Sequence, residues 1–256
     1  MEVVEGIILV LSCQKHRHTR LEKFRLDKKV YADNWKVIYV LGDLFIEQEY
    51  RMEGDILTIK CEDSYIHLLK KLVMAMDIVN RLFVIKQGIL RSGDDLIFNE
   101  PRLEYFLRAT KPKGVIGWNP SRKSIINPDK STYQKEVIYS NFMGSYYQQH
   151  PEDFENPLHN LKGVTISNYR RMPANIKGPC GVVYYLDIDS CRLVIEKMKA
   201  INIDVFYKDP ETDSFPYTIE DVGISYLLFI NGISFYHVDW MFHSKNPIAI
   251  HTNYLK

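Results

Sequence analysis

Short apolar runs alternating with longer helical patterns dominate residues 6 to 98 and restrict the chain to an α/β architecture. Gly6 to Leu11 is one run, Trp35 to Leu41 closing on Gly42 a second, and Ile56 to Lys60 after the Gly54-Asp55 turn a third. Between Asp63 and Phe83 the residues Ile66, Leu69, Val73, Met76, Val79 and Phe83 recur at spacings of three and four. This predicts a long amphipathic helix, with Asp63 or Ser64 available to cap it. A fourth run, Phe83 to Leu90, leads into Arg91-Ser92-Gly93-Asp94-Asp95 and then Leu96-Ile97-Phe98. Strands alternating with helices imply a parallel sheet covered by helices. The acidic pair then stands at a strand's exit, the side of an open α/β sheet where ligands bind.

Beyond residue 110 the prolines at 112, 120, 128, 151, 157 and 173 interrupt the pattern. Strands are expected at Gly114 to Trp118, near Gly181 to Leu186 and near Ile203 to Phe206. Helices are expected from Ser190 to about Ala200 and from Glu220 to about Ile230. Ser140 to Lys162 is rich in aromatic and polar residues without a clear period and reads as an insertion able to cover an acceptor cleft. The chain is expected to be a single domain over 1–256, residues 1–110 forming the nucleotide-sugar half and 111–256 the acceptor and catalytic-base half.

Thirty-three basic residues stand against thirty-two acidic ones, a net charge of +1, so no global field for nucleic acid or an anionic membrane is implied. Cys13, Cys61, Cys180 and Cys191 fall in no metal or disulfide pattern. Gly6 to Leu11 is too short and too acidic in its flanks for a signal peptide, and no apolar run reaches the ~18 residues of a membrane span. The expectation is a soluble, cytoplasmic protein without an integral membrane segment.

Adjacent carboxylates at a strand end can hold Mg²⁺ or Mn²⁺, which take hard oxygen ligands and bridge protein to phosphate. The same pair also fits a solvated turn. Asp94 and Asp95 acquire more meaning from their company: Glu53-Gly54-Asp55-Ile56, Asp63-Ser64-Tyr65, Leu68, Lys71 and then Asp94-Asp95 with Phe98-Asn99 behind them. This series resembles the core of the inverting β-1,3-galactosyltransferase, N-acetylglucosaminyltransferase and Fringe-like glycosyltransferases, where a Tyr-Gly-Asp-Ile turn, an Asp-Ser-Tyr helix start and a triple-aspartate motif follow in that order. Lys36 to Gly42, Gly117 to Lys130 and Gly178 to Leu186 resemble further segments of the family, and Glu220-Asp221-Val222 matches its Glu-Asp-Val motif.

The resemblance implies a GT-A-type fold, a single Rossmann-like mixed sheet flanked by helices. It also implies a Mn²⁺- or Mg²⁺-dependent transfer of a hexose or N-acetylhexosamine, galactose favoured, from a UDP-sugar to an oligosaccharide or glycoconjugate hydroxyl. Asp95 aligns with the last aspartate of the metal motif, the direct ligand, and Asp94 with the middle one, facing the donor. Gly93 replaces the first. Asp221 aligns with the catalytic base, supported by Glu220. Of the late histidines His237, His243 and His251, His251 is preferred as the additional metal ligand. The resemblance places Ser12, Gln14 and Arg20, near the end of the first strand, in the nucleotide-binding region and adds Asp63 to the donor-binding residues, and Lys71 or Arg91 could meet a phosphate or sugar hydroxyl unless they are merely solvated. Of Trp118, Tyr133, Tyr146, Tyr147, Trp240 and Phe242, the two tryptophans are the candidates to stack on an acceptor sugar, core packing being the competing reading.

Other readings stay open on the residues alone. Gly93 suits a catalytically inactive UDP-sugar or carbohydrate-binding protein of the same fold. Strand-end carboxylates also serve metal-dependent nucleotidyltransferases, although that leaves Asp63-Ser64-Tyr65 and Glu220-Asp221 unexplained.

Overall fold

A computed structural model describes residues 1–129, 137–139, 170–173, 175–203 and 207–255. Its strands are β1 (Glu2–Leu11), β2 (Val30–Tyr31), β3 (Trp35–Gly42), β4 (Tyr50–Glu53), β5 (Ile56–Ile59), β6 (Phe83–Gly93), β7 (Leu96–Phe98), β8 (Val115–Gly117), β9 (Val137–Tyr139), β10 (Arg170–Pro173), β11 (Val183–Asp187), β12 (Phe235–His237) and β13 (Ala249–His251). Its helices are α1 (Arg20–Lys23), α2 (Leu68–Leu82), α3 (Glu100–Arg108), α4 (Ile188–Ala200) and α5 (Glu220–Ile230).

One sheet runs in the order β12-β8-β11-β6-β1-β3-β5-β4, with β2 added to β3. Strands β6, β1, β3 and β5 are mutually parallel, while β4, β11 and β2 join antiparallel to their neighbours. The expected sheet flanked by helices is therefore present in its mixed form. Two small antiparallel pairs, β9 with β10 and β7 with β13, stand apart from it.

Strand periodicity divides the core in two. Ile7, Leu9 and Leu11 of β1, Ile38 and Val40 of β3, and Tyr184 and Leu186 of β11 pack with α2, α4 and α5. Ile8 and Val10, Trp35 and Val37, and Val183 and Tyr185 point the other way, onto α3 and Met241. Both faces being covered explains why β1 and β3 read as continuous apolar runs rather than alternating ones.

Several boundaries move for identifiable reasons. β1 starts at Glu2 and β6 reaches Gly93 because the two pair parallel from Glu2 opposite Phe83 to Leu11 opposite Gly93. β11 adds a second partner, with Val183 opposite Ser92. Helix α2 begins at Leu68, with neither Asp63 nor Ser64 as its cap. The Asp63 carboxylate instead accepts from the Gln14 amide and from Lys71, and the Ser64 hydroxyl meets His67 Nδ1 at 2.9 Å. Ile203 belongs to a turn closing α4, with φ 51°, rather than opening a strand. The rest of that run, and the Ser140 to Lys162 stretch with Tyr146 and Tyr147, lie outside the described residues, as does Tyr133.

Gly6 fixes the packing at the far end of the sheet. It pairs with Trp35, the bulkiest fully buried side chain, and a methyl group at Gly6 would lie 2.3 Å from the indole ring. Gly6→Ala is expected to destabilise the protein by about 2 kcal/mol through overpacking, seen as a lower urea midpoint with an unchanged slope.

Candidate functional site

The parallel strands β1, β3 and β6 all finish on one side of the sheet, and a cleft of about 690 Å³ opens there. Ser12, His16, Arg20, Asp63, Lys71, Arg91, Asp94 and Asp95 line it. Sequence reasoning had named all of these except His16, and the fold gathers them from segments up to 83 residues apart. His16 gave no signal because it sits in a basic, polar stretch without periodicity.

Asp94 leaves β6 pointing back at β1. Its Oδ2 accepts from the Ser12 hydroxyl at 2.7 Å and meets His16 Nδ1 at 2.9 Å, while Arg20 approaches Oδ1 at 3.6 Å. A carboxylate facing three such groups is held in one orientation. Asp95 points differently, with its Oδ2 2.9 Å from His251 Nε2 and 3.8 Å from Arg20. The pairing of β7 with β13 explains this meeting, since it sets His251 opposite Leu96 and lets the Thr252 amide donate to the Asp95 carbonyl at 2.9 Å. His251 Nδ1 in turn accepts from the Asn253 amide at 3.1 Å, which helps to orient the ring with Nε2 toward Asp95. At Gly93 a Cβ atom would come within 2.9 Å of Asp95 Oδ1, so the missing side chain leaves room for the Asp95 carboxylate.

Among the described residues no group of three or more His, Cys, Asp or Glu side chains is arranged to hold a metal ion alone. Asp95 and His251 supply one carboxylate oxygen and one imidazole nitrogen in contact. That donor set fits a divalent cation whose remaining positions are filled by phosphate oxygens and water.

Lys71 and Arg91, as cationic residues, would ordinarily be solvated. Both are buried at 2% exposure. The Lys71 ammonium donates to the Ser12 carbonyl and to Asp63 Oδ1, both at 2.5 Å. Asp63 Oδ2 accepts from the Gln14 amide at 2.6 Å, and the Gln14 side chain donates to the Gly42 carbonyl at 3.2 Å. Lys71 therefore ties the loop after β1 to the loop before α2, shaping one wall of the cleft.

The opposite wall is built around Arg91 on β6. Its guanidinium pairs with Glu220 at 2.9 Å and donates to the Gly181 and Val182 carbonyls. The Tyr184 hydroxyl donates to the other Glu220 oxygen. Asp221 is half-buried beside them and accepts from the Gly181 amide at 2.9 Å. Glu220 and Asp221 begin α5, where the helix dipole favours carboxylates, but Glu220 also has a specific buried partner. His237 ends β12, and its ring lies between the Asn119 amide and Asp239. Trp240 packs edge-on to Phe106 beside the second core cluster, and Trp118 rests against Phe242 and His243.

No described helix is long and apolar enough to cross a membrane. The galactosyltransferase family model matches residues 41–152, a range that begins at the last two residues of β3, includes α2, the Asp94-Asp95 strand end, α3 and β8, and leaves out β1, Asp221 and His251. A search of curated proteins finds no match. Among solved structures, the apo form of mouse xyloside xylosyltransferase 1 is similar over 98% of both chains, at 10% identity and a TM-score of 0.39. That likeness is too loose to carry an argument about this chain.

Burial pushes the Glu220 carboxyl up to about 7, opposed by Arg91, reinforced by Asp221 and opposed again by the Tyr184 hydrogen bond. The folded protein thus holds this proton more tightly than the unfolded chain does. The resulting contribution to stability is complete below the ordinary carboxylate range and disappears as pH rises through about 7. In thermal melts from about pH 5 to about pH 8, the wild-type melting temperature is expected to fall relative to that of Glu220→Gln; parallel curves would contradict the assignment.

Proposed function

We propose that the chain is a metal-dependent, inverting glycosyltransferase using a UDP-sugar, with UDP-galactose the favoured donor; the match of residues 41–152 to the galactosyltransferase family model supports this reading. The acceptor is a hydroxyl of an oligosaccharide or glycoconjugate. The observation that carries this reading is the contact between Asp95, just past the end of β6, and His251 at the end of β13, 2.9 Å apart, with Asp95 lining a cleft that also holds Arg20, Asp63, Lys71, Arg91 and Asp94.

Asp95 and His251 would hold Mn²⁺ or Mg²⁺ against the donor diphosphate, and a cation there supplies positive charge as negative charge develops on the leaving group. Asp94, with its orientation fixed by Ser12 and His16, offers its remaining acceptor capacity to a donor hydroxyl. Arg20, the more exposed cation of this cluster and close to both aspartates, faces the anionic donor. Lys71 and Arg91 act differently: their bonds within the protein shape the walls, so neither is free to grip a phosphate.

Asp221 is the general base. It takes the proton from the acceptor hydroxyl as that oxygen bonds to the anomeric carbon. The bond to the diphosphate oxygen breaks with its electron pair, UDP departs, and the configuration inverts. A single displacement of this kind needs one carboxylate in reach of the nucleophile and no covalent intermediate. Gly93 favours a second reading, a UDP-sugar binder of the same fold without turnover, because it lowers the count of carboxylates at the strand end.

Mn²⁺-dependent UDP release from UDP-galactose separates the two readings. Asp221→Asn is expected to lower turnover by about 100-fold or more while UDP–Mn²⁺ binding by calorimetry stays close to wild type. Asp95→Asn is expected to lose the metal-dependent part of that binding. Absence of both UDP release and metal-dependent UDP binding across a panel of UDP-sugars would remove the proposal.

A further inference from the structure

Arg91 stands out because one side chain reaches every part of the base wall. Its Nη2 pairs with Glu220, the residue before Asp221, while its Nη1 donates to the carbonyls of Gly181 and Val182. Gly181 is also the residue whose amide donates to Asp221 Oδ2. The two carboxylates at the start of α5 are thus held from two sides by one guanidinium. One link is direct, through Glu220, and the other passes through a single residue, Gly181.

The surroundings leave this connection little slack. A Cβ atom at Gly181 would sit 3.3 Å from the Asp221 carboxyl, and one at Gly178 would lie 1.8 Å from the Ser225 hydroxyl. The 178–182 loop therefore lies directly on the first turns of α5. Arg91 itself is in the interior of β6, bonded on one side to β1 opposite Leu9 and on the other to β11 opposite Tyr184. Three residues further along the chain, just past the end of β6, comes Asp94.

We propose that Arg91 is a positioning residue for the base: it fixes the Asp221 carboxylate relative to the Asp94-Asp95 strand end, so that base and donor site are set by one rigid strand. The inference rests on Asp221 being the base. A planar fork with several donors can serve two carbonyls and a carboxylate together, which a lysine ammonium cannot do in the same plane. The choice of arginine in a buried strand position is thereby explained by what it must reach. Other groups facing the pair are Tyr184 from β11, Tyr65 from the segment before α2, and Cys180 beside Gly181. None of them carries a positive charge, so Arg91 is the cationic partner among these groups.

The test uses the full chain with UDP-galactose, Mn²⁺ and water as acceptor. Arg91→Met is expected to lower kcat for UDP release by about 100-fold, the scale of a misplacement of roughly 1 Å. The KM for UDP-galactose should change little, because the misplaced group acts on the nucleophile and not on the donor. Arg91→Lys keeps the charge and is expected to recover part of kcat, and it serves as the test if the methionine variant fails to fold. An unchanged kcat, or a raised KM with kcat intact, would overturn the proposal by placing Arg91's effect on the donor.

Amide hydrogen exchange supplies a readout independent of turnover. In Arg91→Lys the Gly181 amide is expected to exchange about tenfold faster while the Ser12 amide, bonded to Val40, stays protected. Equal protection of Gly181 in both proteins would also overturn the inference. A wild-type protein without turnover would instead defeat the functional reading, and the Gly181 exchange would still decide whether Arg91 holds the Asp221 partner.

Discussion

The parallel register of β1 against β6, with Leu11 beside Gly93, sets where chemistry can occur in this protein. It ends two strands at the same level, so that the loop after β1 and the acidic pair after β6 emerge side by side. The Ser12 hydroxyl and the His16 ring then reach Asp94 without any long excursion of backbone. Shifting that register by one residue would turn Asp94 and Asp95 to the opposite faces of the sheet. Shape opposes such a shift: Gly6 stands opposite Gly88, and a Cβ atom at these positions would lie 2.3 Å from the Trp35 ring and 2.1 Å from the Leu186 carbonyl oxygen.

Opposite charges from distant segments meet throughout the cleft. Lys71 faces Asp63, Arg91 faces Glu220, Arg20 and His16 face Asp94, and His251 faces Asp95. The two deepest pairs, Lys71–Asp63 and Arg91–Glu220, have their hydrogen bonds completed by backbone groups. A buried ion pair gains little unless those bonds are made, and here they join loops to helices. Arg20 and Asp95 are more exposed, while Asp94 between them is held by Ser12 and His16. Rigidity thus lies in the walls, and the more available charges lie at the opening.

Much of this was legible in the residues themselves. Strand runs at Gly6, Trp35 and Ile56, the helix around Leu69 to Val79, and the acidic pair at a strand exit follow from periodicity and turn chemistry. The helix start was misread because Asp63 looks like a cap in sequence, while in three dimensions its carboxylate serves Gln14 and Lys71. Whether a basic residue is solvated or buried has no local signature either. Lys71 and Arg91 are ordinary in composition, and only tertiary neighbours separated by many residues make them interior. His16 was missed for the same reason. Pairing of β11 antiparallel to β6 was equally invisible, since strand direction depends on the connection and not on the strand's own residues.

The short ladder of β7 with β13 joins Ile97 to Ile250 and so brings His251 to Asp95. Three residues of strand on each side give this ladder few hydrogen bonds, while the chain between them is most of the molecule. Contacts closing so long a loop come at a high entropic cost and form late in folding. A chain caught on its way to the native state could then have its sheet and helices in place and still lack the Asp95–His251 contact. The Asp95–His251 contact thus depends on a ladder three residues long between segments far apart in the chain.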